Sequence, residues 1–217
     1  MINLCFHGIG RPQRVLEPGE DRYWISRDMY TRVIAEFASR LDVDFSFDDG
    51  NASDVEIGLE ELLRHSRVAR FFVLAGRLDQ PGSLSSNQLQ VLVAAGMTVG
   101  SHGMDHVPWR GLDELQQHRE LVEARERLME AAGAEVDQAA LPLGRYDRRT
   151  LGQLRRLGYG RVYSSDRQPS SESGWLQPRF SVRAEDTLDS VRDLVMARRP
   201  FRKRLVERSK TLVKMLR

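Results

Sequence analysis

Cysteine is almost absent from this chain of 217 residues: Cys5 is its single thiol. An intrachain disulfide is therefore excluded, and a reducing compartment suits the composition. Long apolar runs are missing as well, and none approaches the roughly 20 residues that a bilayer-spanning helix needs. The opening Met1-Ile2-Asn3-Leu4-Cys5-Phe6-His7 has no basic leader and reaches a histidine after a short apolar run, so no secretory signal is expected. A soluble, cytoplasmic protein is the expectation. What is present is a hydrophobic fraction of 41%, which excludes general disorder, and 17 Gly with 8 Pro spread along the chain, which exclude a coiled coil. The length suits one domain with at most a short appendage.

Charge is unevenly placed. Residues 198–217 carry nine basic side chains against Glu207 alone, a net +8. Against +2 for the whole chain, this leaves residues 1–197 at −6. A body of that sign does not suit a general nucleic-acid binder. Within the tail Phe201, Leu205, Leu212 and Leu216 fall near helical spacing. Residues 198–217 thus read as a basic amphipathic helix appended to a 1–197 domain. Peripheral contact with an anionic membrane and packing on the body are both open to it.

Short β-like runs alternate with amphipathic helical stretches. Strands are expected at Ile2–Phe6, Val43–Phe47, Val68–Leu74, Thr98–Ser101, Gln138–Pro142, Arg161–Tyr163 and Trp175–Val182. Helices are expected at Arg27–Ser39, Asp54–Ser66, Ser86–Ala95, Asp113–Ala132, Arg149–Leu157 and Thr187–Ala197. Ser53 followed by Glu56 reads as a capping box. About seven parallel strands joined by crossover helices follow from this alternation, and a distorted barrel and an open doubly wound sheet both fit.

Two stretches carry the chemistry. The run Ser46-Phe47-Asp48-Asp49-Gly50 ends a strand in adjacent carboxylates, and Gly50 permits a turn that brings both to one cleft. His102-Gly103-Met104-Asp105-His106 follows a later strand at the same sheet edge, with the spacing that sets two imidazoles side by side for a metal. One carboxylate and two imidazoles make a facial ligand set with open positions for water, and the spare carboxylate is placed to take a proton.

These motifs resemble those of the polysaccharide deacetylases, a family with a distorted (β/α) barrel, and the likeness covers roughly residues 43–165. It implies Asp48 as general base, with Asp49, His102 and His106 holding a divalent ion, zinc first, with cobalt, nickel and manganese as alternatives. The family's third motif matches at Pro142 and Gly144, which implies the Leu143 amide as oxyanion donor. Two departures stand out. The third-motif arginine that orients the base is Ala140 here, and Arg145 is near it but not equivalent. The late motif whose histidine protonates the leaving amine is absent, and Trp175-Leu176-Gln177-Pro178-Arg179-Phe180 occupies its place.

Other histidines and loop charges complete the candidates. His7 ends the first strand at the same sheet edge, as an acid or a substrate contact. His65 and His118 read as structural, His118 on a buried side of its helix with Leu115, Val122 and Met129. Arg145, Tyr146, Asp166 and Arg179 are candidate sugar or phosphate contacts, and the segment from Gly10 to Glu20 is long enough to cover the cleft. The expected function is a metal-dependent N-deacetylase acting on an acetamido-sugar, lipid- or nucleotide-linked, in surface-polysaccharide assembly. Hydrolysis of another carbon–nitrogen bond, in a cyclic amide or a formamide, and non-catalytic sugar binding are the alternatives. Oligomeric state is not legible.

Overall fold

The computed structural model describes residues 1–197, so the basic tail expected at 198–217 lies outside the described residues. Eight parallel strands form the main sheet. They are β1 (Ile2–Phe6), β4 (Val43–Asp49), β5 (Ala69–Val73), β6 (Thr98–Ser101), β7 (Gln138–Ala140), β8 (Arg161–Ser164), β9 (Leu176–Pro178) and β10 (Phe180–Ser181). Short β2 (Gly8–Ile9) and β3 (Trp24–Ile25) pair in a separate ribbon. Around the sheet lie α1 (Arg27–Phe37), α2 (Glu60–Arg64), α3 (Ser86–Ala94), α4 (Glu114–His118), α5 (Ala124–Ala132), α6 (Arg148–Arg156) and α7 (Leu188–Met196). Wider helical turns at Asp54–Leu59 and Arg119–Glu123 lead into α2 and α5. No helix among the described residues is long and apolar enough to cross a membrane.

Spatial order runs β10-β1-β4-β5-β6-β7-β8-β9, so the two outermost strands are consecutive in the chain. The single strand expected over Trp175–Val182 is split at Arg179: β9 pairs with β8, and β10 pairs with β1. The sheet is thereby a nearly closed, distorted (β/α) barrel of eight strands where about seven were expected. The chain thus leaves the β8 edge at Arg179 and continues along the β1 edge, across the seam.

Strand alternation sorts the two faces. On β4, Phe45 and Phe47 face the helical layer, where Phe47 stacks on Phe71 at 4.5 Å and packs against Tyr30. Asp44, Ser46 and Asp48 face the interior, where Asp44 meets Arg70 and the other two meet Arg179. The main hydrophobic core thus sits between sheet and helices, while the barrel's axis mixes polar side chains with a small apolar cluster of Phe72, Ala140 and Tyr163.

Two local expectations are corrected. Ser53 does not cap its helix; its hydroxyl accepts from the Ile9 amide, and the wide turn Asp54–Leu59 starts without a side-chain cap. His118 is exposed and meets Glu123, because its helix turns Gln117, Glu120, Leu121, Ala124 and Leu128 inward instead. The wide turn at Arg119–Glu123 shifts the faces on either side of it.

Phe47→Ala removes a fully buried ring from the sheet–helix layer and is expected to lower the unfolding free energy by about 3–5 kcal/mol. Urea unfolding followed by circular dichroism checks this, and an unchanged midpoint contradicts it.

Candidate active site

Every strand of the barrel delivers its C-terminal end to one rim, and the candidate residues meet there. Successive side chains on β4 should diverge, yet Asp48 and Asp49 reach the same cavity. The backbone turns left-handed at Asp49 itself, with φ 73°, and continues so at Gly50, with φ 69°. A Cβ at Gly50 would stand 2.8 Å from the Val73 side chain, so glycine is needed there both for the turn and for space.

His102 extends β6 by donating its amide to the Val73 carbonyl, and His106 follows on an irregular loop with φ 56°. Asp49, His102 and His106 present ligand atoms that all lie within 4.8 Å of one another. Both imidazole Nε2 atoms stand 3.5 Å from Asp49 Oδ1. That oxygen is buried and has no hydrogen-bond partner.

The protons on the rings can be assigned. His102 Nδ1 lies 2.9 Å from the Ala140 carbonyl and His106 Nδ1 lies 2.7 Å from Glu17 Oε2. Both partners are acceptors, so each Nδ1 donates and each Nε2 keeps its lone pair for the centre of the cluster. Burial pushes His102 down to about 4, although Asp48 and Asp49 pull the other way. It is therefore held neutral, the form that ligates. Burial opposes ionisation of Asp49, but His7, His102 and His106 outweigh it and keep the carboxyl below its usual range. An orphaned buried carboxylate oxygen facing two imidazole lone pairs fits a divalent cation, and the mixed O/N donor set suits zinc among others.

Asp48 is held differently. Burial alone would raise its pKa, yet the Arg179 guanidinium, followed by His102 and His7, keeps it well below the usual range. Arg179 donates to both its oxygens, at 2.6 and 2.7 Å, and to Ser46 Oγ at 3.1 Å. The guanidinium also lies over the rings of Phe72 and Tyr163. Arg179 lines the cavity, but its charge is committed to Asp48. His7 stacks on Tyr23 at 4.7 Å and brings Nε2 to 3.9 Å from Asp48 Oδ2.

The cavity has a volume of about 220 Å³, and its wall includes His7, Leu143 and all four motif residues. Leu143 is itself left-handed, with φ 55°. Arg145 is exposed, while Tyr146 donates to Asp166 at 2.5 Å, and none of the three is in the wall. Asp166 also accepts from Ser164 Oγ, so Tyr146 and Asp166 brace the loops behind the rim. His65 closes its helix against Glu61.

Four contributors were not legible beforehand. Glu17, Glu20 and Tyr23 enter the wall on the segment linking β2 to β3; only its length pointed to a cover. Glu120 accepts from the Met104 and Asp105 amides and from Trp109 Nε1, so it braces the histidine loop from below. The wanted signal was an acid on the inner face of a helix. Gly103 follows from it: with φ 88°, a Cβ there would meet Glu120 Oε2 at 2.3 Å.

Comparison with known proteins bears on the family and the fold. The sequence model of the family described as polysaccharide deacetylase matches residues 39–162. YxkH of Bacillus subtilis (strain 168), named among the polysaccharide deacetylases, is 24% identical over 52% of this chain and 41% of its own. The chain thus spans about two fifths of the curated relative it matches. Among solved structures, the Streptococcus pyogenes deacetylase PplD in complex with acetate is similar with a TM-score of 0.77 and 16% identity, over 91% of this chain and 98% of that one. IcaB from Ammonifex degensii is similar with a TM-score of 0.71 and 20% identity, over 90% and 97%. At such identities the structural likeness establishes the fold.

Glu120→Ala strands buried donors and is expected to cost about 1–3 kcal/mol for each one left unpaired. Glu120→Gln, which keeps an acceptor oxygen, should cost less. Denaturant midpoints of the two variants decide it, and equal midpoints would count against the bracing role.

Proposed function

Because the chain belongs to the polysaccharide deacetylase family, we propose that it is a metal-dependent N-deacetylase acting on an acetamido-sugar within a polysaccharide or its precursor. The observation that carries this is the convergence of Asp49, His102 and His106 beside an independently held Asp48. When bound, zinc supplies a Lewis acid and lowers the pKa of a water from about 15.7 toward about 7.

The chain's own groups do the rest. Arg179 keeps Asp48 ionised and fixes its orientation, so a carboxylate is ready to take the proton of the attacking water. The same pairing weakens Asp48 as a base, which makes the reaction dependent on acidity supplied at the water. The Leu143 amide is assigned to the carbonyl oxygen as negative charge develops on it. His7 is assigned the proton transfer to the departing amine. It stands on the cavity wall of a chain in which no histidine follows His118. The amide C–N bond breaks, and acetate and a free amine leave. His7 and Arg179 together thus take the two roles left vacant by the missing late histidine and the alanine at 140.

The test is acetate release from acetylated aminosugar oligomers by the zinc-loaded protein, abolished by chelation and restored by zinc. Asp48→Asn is expected to lower kcat by about 10²–10⁴-fold, with zinc still bound, and His7→Ala by a comparable factor. Formate or a ring-opened acid as product would assign another carbon–nitrogen bond. Sugar binding without turnover in the wild-type protein would overturn the enzyme.

A further inference from the structure

We propose that Glu17 is a positioning residue that makes the segment from Gly10 to Tyr23 part of the metal centre, so that metal binding and closure of this strap reinforce each other. The inference rests on a cation occupying the Asp49–His102–His106 cluster.

The two imidazoles are oriented by different kinds of partner. His102 leans on the Ala140 carbonyl, a fixed part of β7. His106 leans on Glu17, which is 89 positions away in sequence and lies on an irregular link between two-residue strands. Glu17 is half-exposed, and its carboxylate is divided between two partners: Oε2 accepts from His106 Nδ1 at 2.7 Å, and Oε1 meets the Arg77 guanidinium. Arg77 belongs to the turn after β5, which holds the histidine loop through Gly76 N–H donating to the Met104 carbonyl at 3.0 Å. The strap is thus clamped onto the loop that carries His106.

From Glu17 the contacts continue to the other side of the cavity. Glu20 Oε2 accepts the Glu17 amide at 2.8 Å and pairs with Arg14. Arg14 Nε donates to Asn51 Oδ1 at 2.9 Å, and Asn51 Nδ2 donates to the His7 carbonyl at 3.1 Å. One hydrogen-bonded circuit therefore joins the histidine loop to the end of β1, and Glu17, Pro18, Gly19, Glu20 and Tyr23 of the strap form one wall of the cavity.

A carboxylate on the far nitrogen of a ligating imidazole fixes the tautomer and ring angle and makes the near nitrogen more basic. Linkage is reciprocal: by whatever factor the closed strap tightens the cation, the cation tightens the strap. A closed substrate-binding wall is thereby favoured around a loaded centre.

Zinc affinity by chelator competition, and hydrogen exchange of residues 10–23 with and without zinc, test this on the full chain. Glu17→Ala is expected to weaken zinc by about 10–100-fold, and Glu17→Gln, which still accepts a hydrogen bond, by less. In the wild-type protein zinc should slow exchange over residues 10–23, and in Glu17→Ala it should not. Arg14→Ala loosens the strap without touching His106 and should weaken zinc several-fold, which keeps the test open if Glu17→Ala does not fold. Unchanged zinc affinity in the folded variants, or strap exchange indifferent to zinc in the wild type, overturns the inference. A wild-type protein that binds no zinc overturns the metal reading beneath it.

Discussion

A guanidinium withdrawn from water into a barrel must meet a charge, and both oxygens of Asp48 meet that of Arg179. Taking two ions into the interior is costly, and the pair offsets it through bidentate geometry, with Ser46 and two ring faces also against the guanidinium. The pair's place in the chain gives it wider consequence. Arg179 is the residue at which the last strand leaves one edge of the sheet and joins the other. The crossing that closes the barrel is also the point that delivers the partner of Asp48. Loss of either partner leaves a buried charge unpaired, at about 3–5 kcal/mol.

The remainder of the interior is consistent with that choice. A barrel this small has its axis filled by side chains, and here many are polar: Asp44 with Arg70, Gln138 with Tyr163, Asn3 with the Pro178 carbonyl. The aromatic stack of Phe6, Phe47, Phe71 and Tyr30 lies outside it, beneath the helices. Stability and chemistry are thus carried by opposite faces of the same strands. Asp48 can sit one residue from Phe47 without either compromising the other.

This division explains what was legible in the sequence. The strand and helix periods reflect the outer, apolar face, so β1, β4, β5 and β6 and the major helices lie where hydrophobic spacing puts them. The convergence of Asp49, His102 and His106 was readable because the two histidines share one short motif and each motif ends a strand at the same rim. Arg179 was visible as a residue but not as the partner of Asp48. That pairing spans 131 positions and depends on a seam that period-two alternation cannot show. Glu17 and Glu120 were invisible for a related reason: each acts by accepting from a loop whose path only the fold defines. The split of Trp175–Val182, and the inward turn of Glu120 at the expense of His118, come from tertiary demands overriding local pattern.

Backbone strain follows the same economy. Asp49, Ser66, Asp79, His106, Leu143 and Arg167 are the described non-glycine residues with positive φ. Half of them, Asp49, His106 and Leu143, stand in the wall of one cavity. Left-handed backbone is disfavoured for residues bearing a Cβ and persists where surrounding contacts over-determine it. At Asp49 it makes consecutive side chains converge, and at His106 it accompanies the return of an imidazole to a carboxylate on another strand. An unstrained loop of the same length would leave the two carboxylates on opposite faces of β4. The site thus depends on rigidity in its supports: the Glu120 brace under the histidine loop, the Val73 packing against Gly50, and the closed barrel beneath both.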